Sequence, residues 1–61
     1  MIEVTKQTVK LENGGKYEIS KLENNRFEIK YFEYSEICNK WSYISTEYGD
    51  EEYAIDCGWV N

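Results

Sequence analysis

The sequence has no histidine and no proline, only two cysteines, and no apolar run that approaches the length of a membrane span. Each shortage excludes something. Without His there is no His general base and no His-centred triad. Two Cys and no His cannot complete a structural zinc site within one chain. A transmembrane helix needs about 20 consecutive apolar residues. No basic start followed by an apolar stretch announces a signal peptide. A Gly-rich phosphate loop is also missing, because Asn13-Gly14-Gly15 is not followed by Gly-Lys-Ser/Thr. These absences predict a cytoplasmic protein, of the producing or a host cell, with Cys38 and Cys57 as free thiols. Were the two paired, the enclosed loop of 18 residues would contribute about 3 kcal/mol through chain entropy.

What remains is short, acidic and aromatic. The 61 residues allow one small domain, spanning 1–61. Ten residues are aromatic, and each such side chain buries roughly 150–250 Å². They must therefore supply much of a thin core. A domain this small is expected to be marginally stable alone or to gain from a dimer interface. Codon bias leaves a trace as well. Lys, Asn, Ile and Tyr, with AT-rich codons, number 23, whereas Ala, Arg, Gly and Pro number 6. This pattern suits an AT-rich genome, where short free-standing reading frames often belong to phages or mobile elements.

Turn signals divide the chain at even spacing. Asn13-Gly14-Gly15 reads as a type I′ hairpin turn, and Asn24-Asn25 as a second turn, because Asn tolerates positive φ. Tyr48-Gly49-Asp50-Glu51 is a third candidate, and Ser35 to Lys40 a fourth connection. Between them lie five segments of strand length. Phe27, Ile29 and Tyr31 share one face, with Arg26, Glu28 and Lys30 on the other. Trp41 and Tyr43 share a face. Tyr53, Ile55, Cys57 and Trp59 alternate along the last segment. A period of two is the mark of a sheet with one buried face. Several phase changes interrupt it. Ile2 and Val4 are out of phase with Val9 and Leu11, which predicts a bulge near Lys6 to Thr8. Leu22 departs from the phase of Tyr17 and Ile19, and Phe32 and Tyr34 leave the face of Phe27 to Tyr31. The expectation is an all-β fold, a small and strongly bent antiparallel sheet or barrel of about five hairpin-connected strands. The alternative is an α+β fold with one short helix near 35–45, where Ser35 could cap and Ile37, Cys38, Trp41 and Ile44 fall near helical spacing.

Few residues point to catalysis. Cys38 beside Lys40 is the only local hint of an activated thiol, and a small packed side chain explains it as well. Carboxylates abound, but a glycosidase-like pair needs a cleft that a domain of this size rarely holds. Asp50, Glu51, Glu52 and Asp56 do not follow the calcium-loop pattern, since the fifth and sixth positions counted from Asp50 are Ala54 and Ile55. No enzyme activity, no metal and no cofactor are expected.

Charge is the most informative feature. Residues 1–30 carry six basic and five acidic side chains, whereas residues 31–61 carry one basic and seven acidic ones, together with eight of the ten aromatics. An acidic surface disfavours direct nucleic-acid binding, because phosphate neutralisation supplies most non-specific affinity. The same surface suits a basic protein partner, through faster encounter and aromatic anchors. The predicted contact residues are Glu47, Tyr48, Asp50, Glu51, Glu52, Tyr53 and Asp56. The expected function is a small acidic protein-binding module. It is of the kind a phage or mobile element uses as an inhibitor, covering a basic nucleic-acid-binding surface of its partner by charge mimicry. The alternative is a self-associating structural subunit of a larger assembly, with homo-oligomers formed through unpaired sheet edges.

Overall fold

The computed structural model describes residues 5–60. Four strands run β1 (Lys6–Lys10), β2 (Gly15–Lys21), β3 (Phe27–Ser35) and β4 (Lys40–Gly49), and a short helix α1 (Glu51–Asp56) follows. All neighbouring strands are antiparallel and the sheet order is β1-β2-β3-β4. The fold is thus an antiparallel all-β meander with one added helix. The sheet stays open rather than closing into a barrel, so β1 and β4 are edges.

The turns follow from their residues. In the first, Gly14 takes a φ of 90° and donates to the Leu11 carbonyl, while the Leu11 amide donates to Gly15 across the loop. Asn13 does not have positive φ, so this is a three-residue loop rather than the expected type I′ turn. Type I′ chemistry appears at the second turn instead. Asn24 and Asn25 both have positive φ, at 62° and 58°, and the Arg26 amide closes onto Glu23. The β3–β4 connection uses Asn39 at a φ of 56°. There the Cys38 amide donates to the Ser35 hydroxyl at 3.2 Å. Ser35 therefore caps a turn, and the helix envisaged near 35–45 does not form, since Trp41 and Ile44 belong to β4.

The expected fifth strand is a helix. Asp50 ends the sheet and caps α1, its carboxylate accepting from the Tyr53 amide at 2.9 Å. Glu51 and Glu52 occupy the first turn, where negative charge suits the helix dipole. The other end is a Schellman motif: Gly58 donates to Ile55 at 3.0 Å and Trp59 donates to Ala54 at 2.9 Å. Alternation of Tyr53, Ile55, Cys57 and Trp59 therefore misleads. The side chains that turn inward are Ala54 and Trp59, while Tyr53 and Ile55 stay exposed.

The register explains the phase changes. β1 pairs with β2 without a break, from Lys6↔Ser20 to Lys10↔Lys16, so no bulge lies near Lys6 to Thr8. Ile2 and Val4, on which part of that expectation rests, lie outside the described residues. Leu22 sits beyond the end of β2. The bulge falls in β4. Tyr31 pairs with Ser45 and Phe32 with Tyr43, which leaves Ile44 as the extra residue.

Two faces result. One carries Val9, Tyr17, Ile19, Phe27 and Ile29, and the segment from α1 to Trp59 folds over it. Ile19, Phe27, Ile29, Ala54 and Trp59 are its buried core, with Val9, Tyr17 and Cys57 packed around them. Trp59 meets Phe27 edge-on, with ring centroids 4.9 Å apart. Gln7 fastens this cover to the first edge, exchanging two hydrogen bonds with the Val60 backbone. The opposite face has no covering element among the described residues.

Candidate functional site

The acidic residues singled out above come together in part. Glu47 lies near the end of β4 on the covered face, opposite Ile29. Asp50 caps α1, Glu51 and Glu52 form its first turn, and Asp56 its last position. The Tyr53 hydroxyl donates to the Glu47 carboxylate and so ties the helix back to β4. That bond, favouring the protonated phenol beside a carboxylate, pushes the Tyr53 pKa up to about 12. The Tyr53 ring lies directly on Gly49, where an added Cβ would fall 2.3 Å from Cδ2. Only glycine lets the helix sit this close to the end of the strand. Among the described residues no ion pair reaches Glu47, Asp50, Glu51, Glu52 or Asp56.

Tyr48 separates from this group. It points to the uncovered face, opposite Glu28, and its hydroxyl donates to Glu28 at 3.1 Å. This bond raises its pKa. A shallow concavity runs between the two sides, lined by Thr46, Glu47, Tyr48, Gly49, Asp50 and Tyr53. A more enclosed hollow of about 270 Å³ lies beside the core, lined by Tyr17, Ile29, Tyr31, Ser45, Glu47 and Asn13. The hollow is at the small end for a ligand site.

The uncovered face is the feature that charge counting along the chain missed. The register sets Phe32 beside Tyr43 and Tyr34 beside Trp41. Both pairs meet edge-on, with centroids 5.8 and 5.2 Å apart. The Lys16 ammonium lies 4.4 Å from the Trp41 ring centroid and 5.3 Å from that of Phe32. Tyr43 is 57% exposed and Tyr48 is 55% exposed. The signal was present in the sequence as the departure of Phe32 and Tyr34 from the phase of Phe27 to Tyr31. Its meaning depended on which face the C-terminal segment covers.

Electrostatics on this face differ from those at the helix. Lys6 and Lys16 both pair with Glu18, at 3.1 and 3.3 Å, and Lys30 approaches Glu28 at 3.7 Å. The two lysines hold the Glu18 carboxyl below its ordinary pKa, Lys6 contributing most. Lys10 shares the face and stands opposite Lys16. Cys38 is exposed and Cys57 half-buried, and both are free. Burial pushes the Cys57 thiol up, away from nucleophilic thiolate character. Among the described residues no group of three or more His, Cys, Asp or Glu side chains is placed to hold a metal ion. No helix among them is long and apolar enough to cross a membrane.

No protein-family model, curated protein or solved structure matches this chain.

Proposed function

We propose that the protein is a small acidic protein-binding module that engages a basic surface of its partner through the α1 end. Its acids would stand in for the phosphate charges of a nucleic acid, as an inhibitor from a phage or mobile element would require. One observation carries this reading: five carboxylates gather on β4's end and α1, and no ion pair among the described residues neutralises them. Unpaired carboxylates on a short, capped element form a field that attracts a basic partner and speeds encounter. Tyr53 and Ile55, both exposed, supply contact area beside the charge.

The test is capture of partners from nuclease-treated lysate of the source cell by the wild type and by Glu51→Lys/Glu52→Lys/Asp56→Lys. Asp50 is kept, because it caps α1 and its loss would confuse binding with folding. A basic protein retained by the wild type and lost by the variant, with an unchanged circular dichroism spectrum, is the expected outcome. Equal retention by both proteins would exclude the α1 end as the contact.

A second reading, the self-associating subunit, is favoured by the β4 edge. This strand has ten residues and, among the described residues, no neighbour on its outer side, a geometry that invites strand addition. A native mass that stays monomeric at high concentration would remove it.

A further inference from the structure

We propose that the uncovered sheet face is a stacking platform for a single-stranded nucleic acid. The inference is independent of the partner reading above and uses the opposite side of the molecule. It rests on how the fold redistributes charge. The chain carries a net charge of −5, and along the sequence the aromatics accompany the acids. In the folded protein they do not. Glu33 and Glu47 lie on the covered face by register, and Asp50 to Asp56 lie along α1. The uncovered face has four lysines, Lys6, Lys10, Lys16 and Lys30, against Glu18 and Glu28. Both of these carboxylates are already held by those lysines.

The face is therefore locally cationic, with its lysines in β1 to β3 and its exposed rings in β3 and β4. Single-strand binding needs this combination: cations that follow the phosphates and aromatic faces on which bases stack. Trp41, Tyr43 and Tyr34 are the stacking surfaces, with Lys10 one phosphate contact and Lys30, whose 3.7 Å approach to Glu28 is the loosest of the three ion pairs, a second. Lys16 is committed between the Trp41 ring and Glu18, so it holds the indole in place. A second copy fits this face less well. Two such faces brought together would desolvate the lysine–glutamate pairs of both copies. A strand leaves those pairs at a wet rim.

The probe is a labelled dT oligonucleotide of about twelve nucleotides, matched to the usual single-strand site size, with rU and a duplex of the same length beside it. Anisotropy reports binding to the full chain. Intrinsic fluorescence reports the face, because Trp41 lies on it and Trp59 is buried on the other side. Binding of dT or rU with quenching of Trp41 emission is expected, with little binding of duplex. Trp41→Ala and Tyr43→Ala should each weaken binding about tenfold, within the range for loss of one stacked base. Two phosphate contacts give a slope of log affinity against log salt of about −1.4, and Lys10→Gln/Lys30→Gln should flatten it. Glu51→Lys/Glu52→Lys/Asp56→Lys should bind the strand at least as well as the wild type. That variant separates this inference from the partner reading. Three results would overturn it: no binding at about 50 mM salt, where phosphate contacts are strongest; binding indifferent to both aromatic substitutions in variants that keep the wild-type circular dichroism; or a dimer that Trp41→Ala and Tyr43→Ala dissolve, which would give the face to a second copy.

Discussion

Gly58 shows how much one residue decides. It sits just past α1 with a φ of 115°, and a Cβ there would lie 2.8 Å from Val9 Cγ1. Its place in the Schellman motif reverses the chain so that Trp59 drops onto Phe27. Gly14 has a similar φ, 90°, but a Cβ there would meet nothing within 4 Å. Gly14→Ala should therefore cost only the conformational penalty, about 1–2 kcal/mol. Gly58→Ala adds a clash against β1 and should cost more, about 2–4 kcal/mol when overpacking is included. Urea denaturation of the two variants side by side checks the order. Equal midpoints would mean that Val9 moves aside freely.

At the scale of elements, α1 is too short to be stable alone. It is held by its caps, by Ala54 and Trp59 in the core, and by the Tyr53–Glu47 hydrogen bond to β4. That bond makes the helix contact sensitive to alkali. The Tyr53 phenol has an ordinary value of 10.0 when unfolded and about 12 when folded. The folded state thus keeps a proton that the unfolded state has lost between those values. The stabilisation is complete below pH 10 and disappears as pH rises toward 12. Tyrosine ring resonances followed by NMR should show Tyr53 titrating last, and Tyr53→Phe should lessen the loss of stability in that interval, to which Tyr48 and Tyr31, also raised by hydrogen bonds to carboxylates, contribute. A Tyr53 ring that titrates at the ordinary phenol value of 10.0 would show that the bond to Glu47 does not persist in solution.

The whole molecule is thin. Its principal extents are 39 × 27 × 18 Å, the last being little more than one sheet with a helix on it. Among the described residues five buried ones form the core, so no single large side chain can be spared. Trp59→Ala should cost about 3–5 kcal/mol, a large part of the stability a domain of this size possesses. The variant is expected to lose amide dispersion in its NMR spectrum. Trp41→Ala, on the open face, should keep it. The contrast identifies which tryptophan is core.

Much of this architecture was legible in the residues. Asn24-Asn25 tolerates the positive φ of a tight hairpin turn better than most residue pairs, and the alternation of Phe27, Ile29 and Tyr31 gives one strand with one buried face. These are local properties, fixed by side-chain shape and backbone sterics, and three hairpins follow from them. The last segment was not legible. Tyr53 to Trp59 alternates as a strand does, yet a six-residue helix forms there, because its caps and its burial of Ala54 and Trp59 outweigh a pattern of period two. The candidate site divides in the same way. The acids of α1 are neighbours in sequence and remain neighbours in space, whereas Tyr48 parts from them because alternation sends it to the other side of β4. The sequence by itself determined four strands, where the turns between them fall and their two-sided pattern, but not the type of the first turn, the bulge at Ile44 or the helix in place of a fifth strand. Only the tertiary structure decided which side became core. Aromatics occupy both faces, and the side on which α1 and Trp59 fold over is what separates buried rings from an open, lysine-bearing aromatic surface.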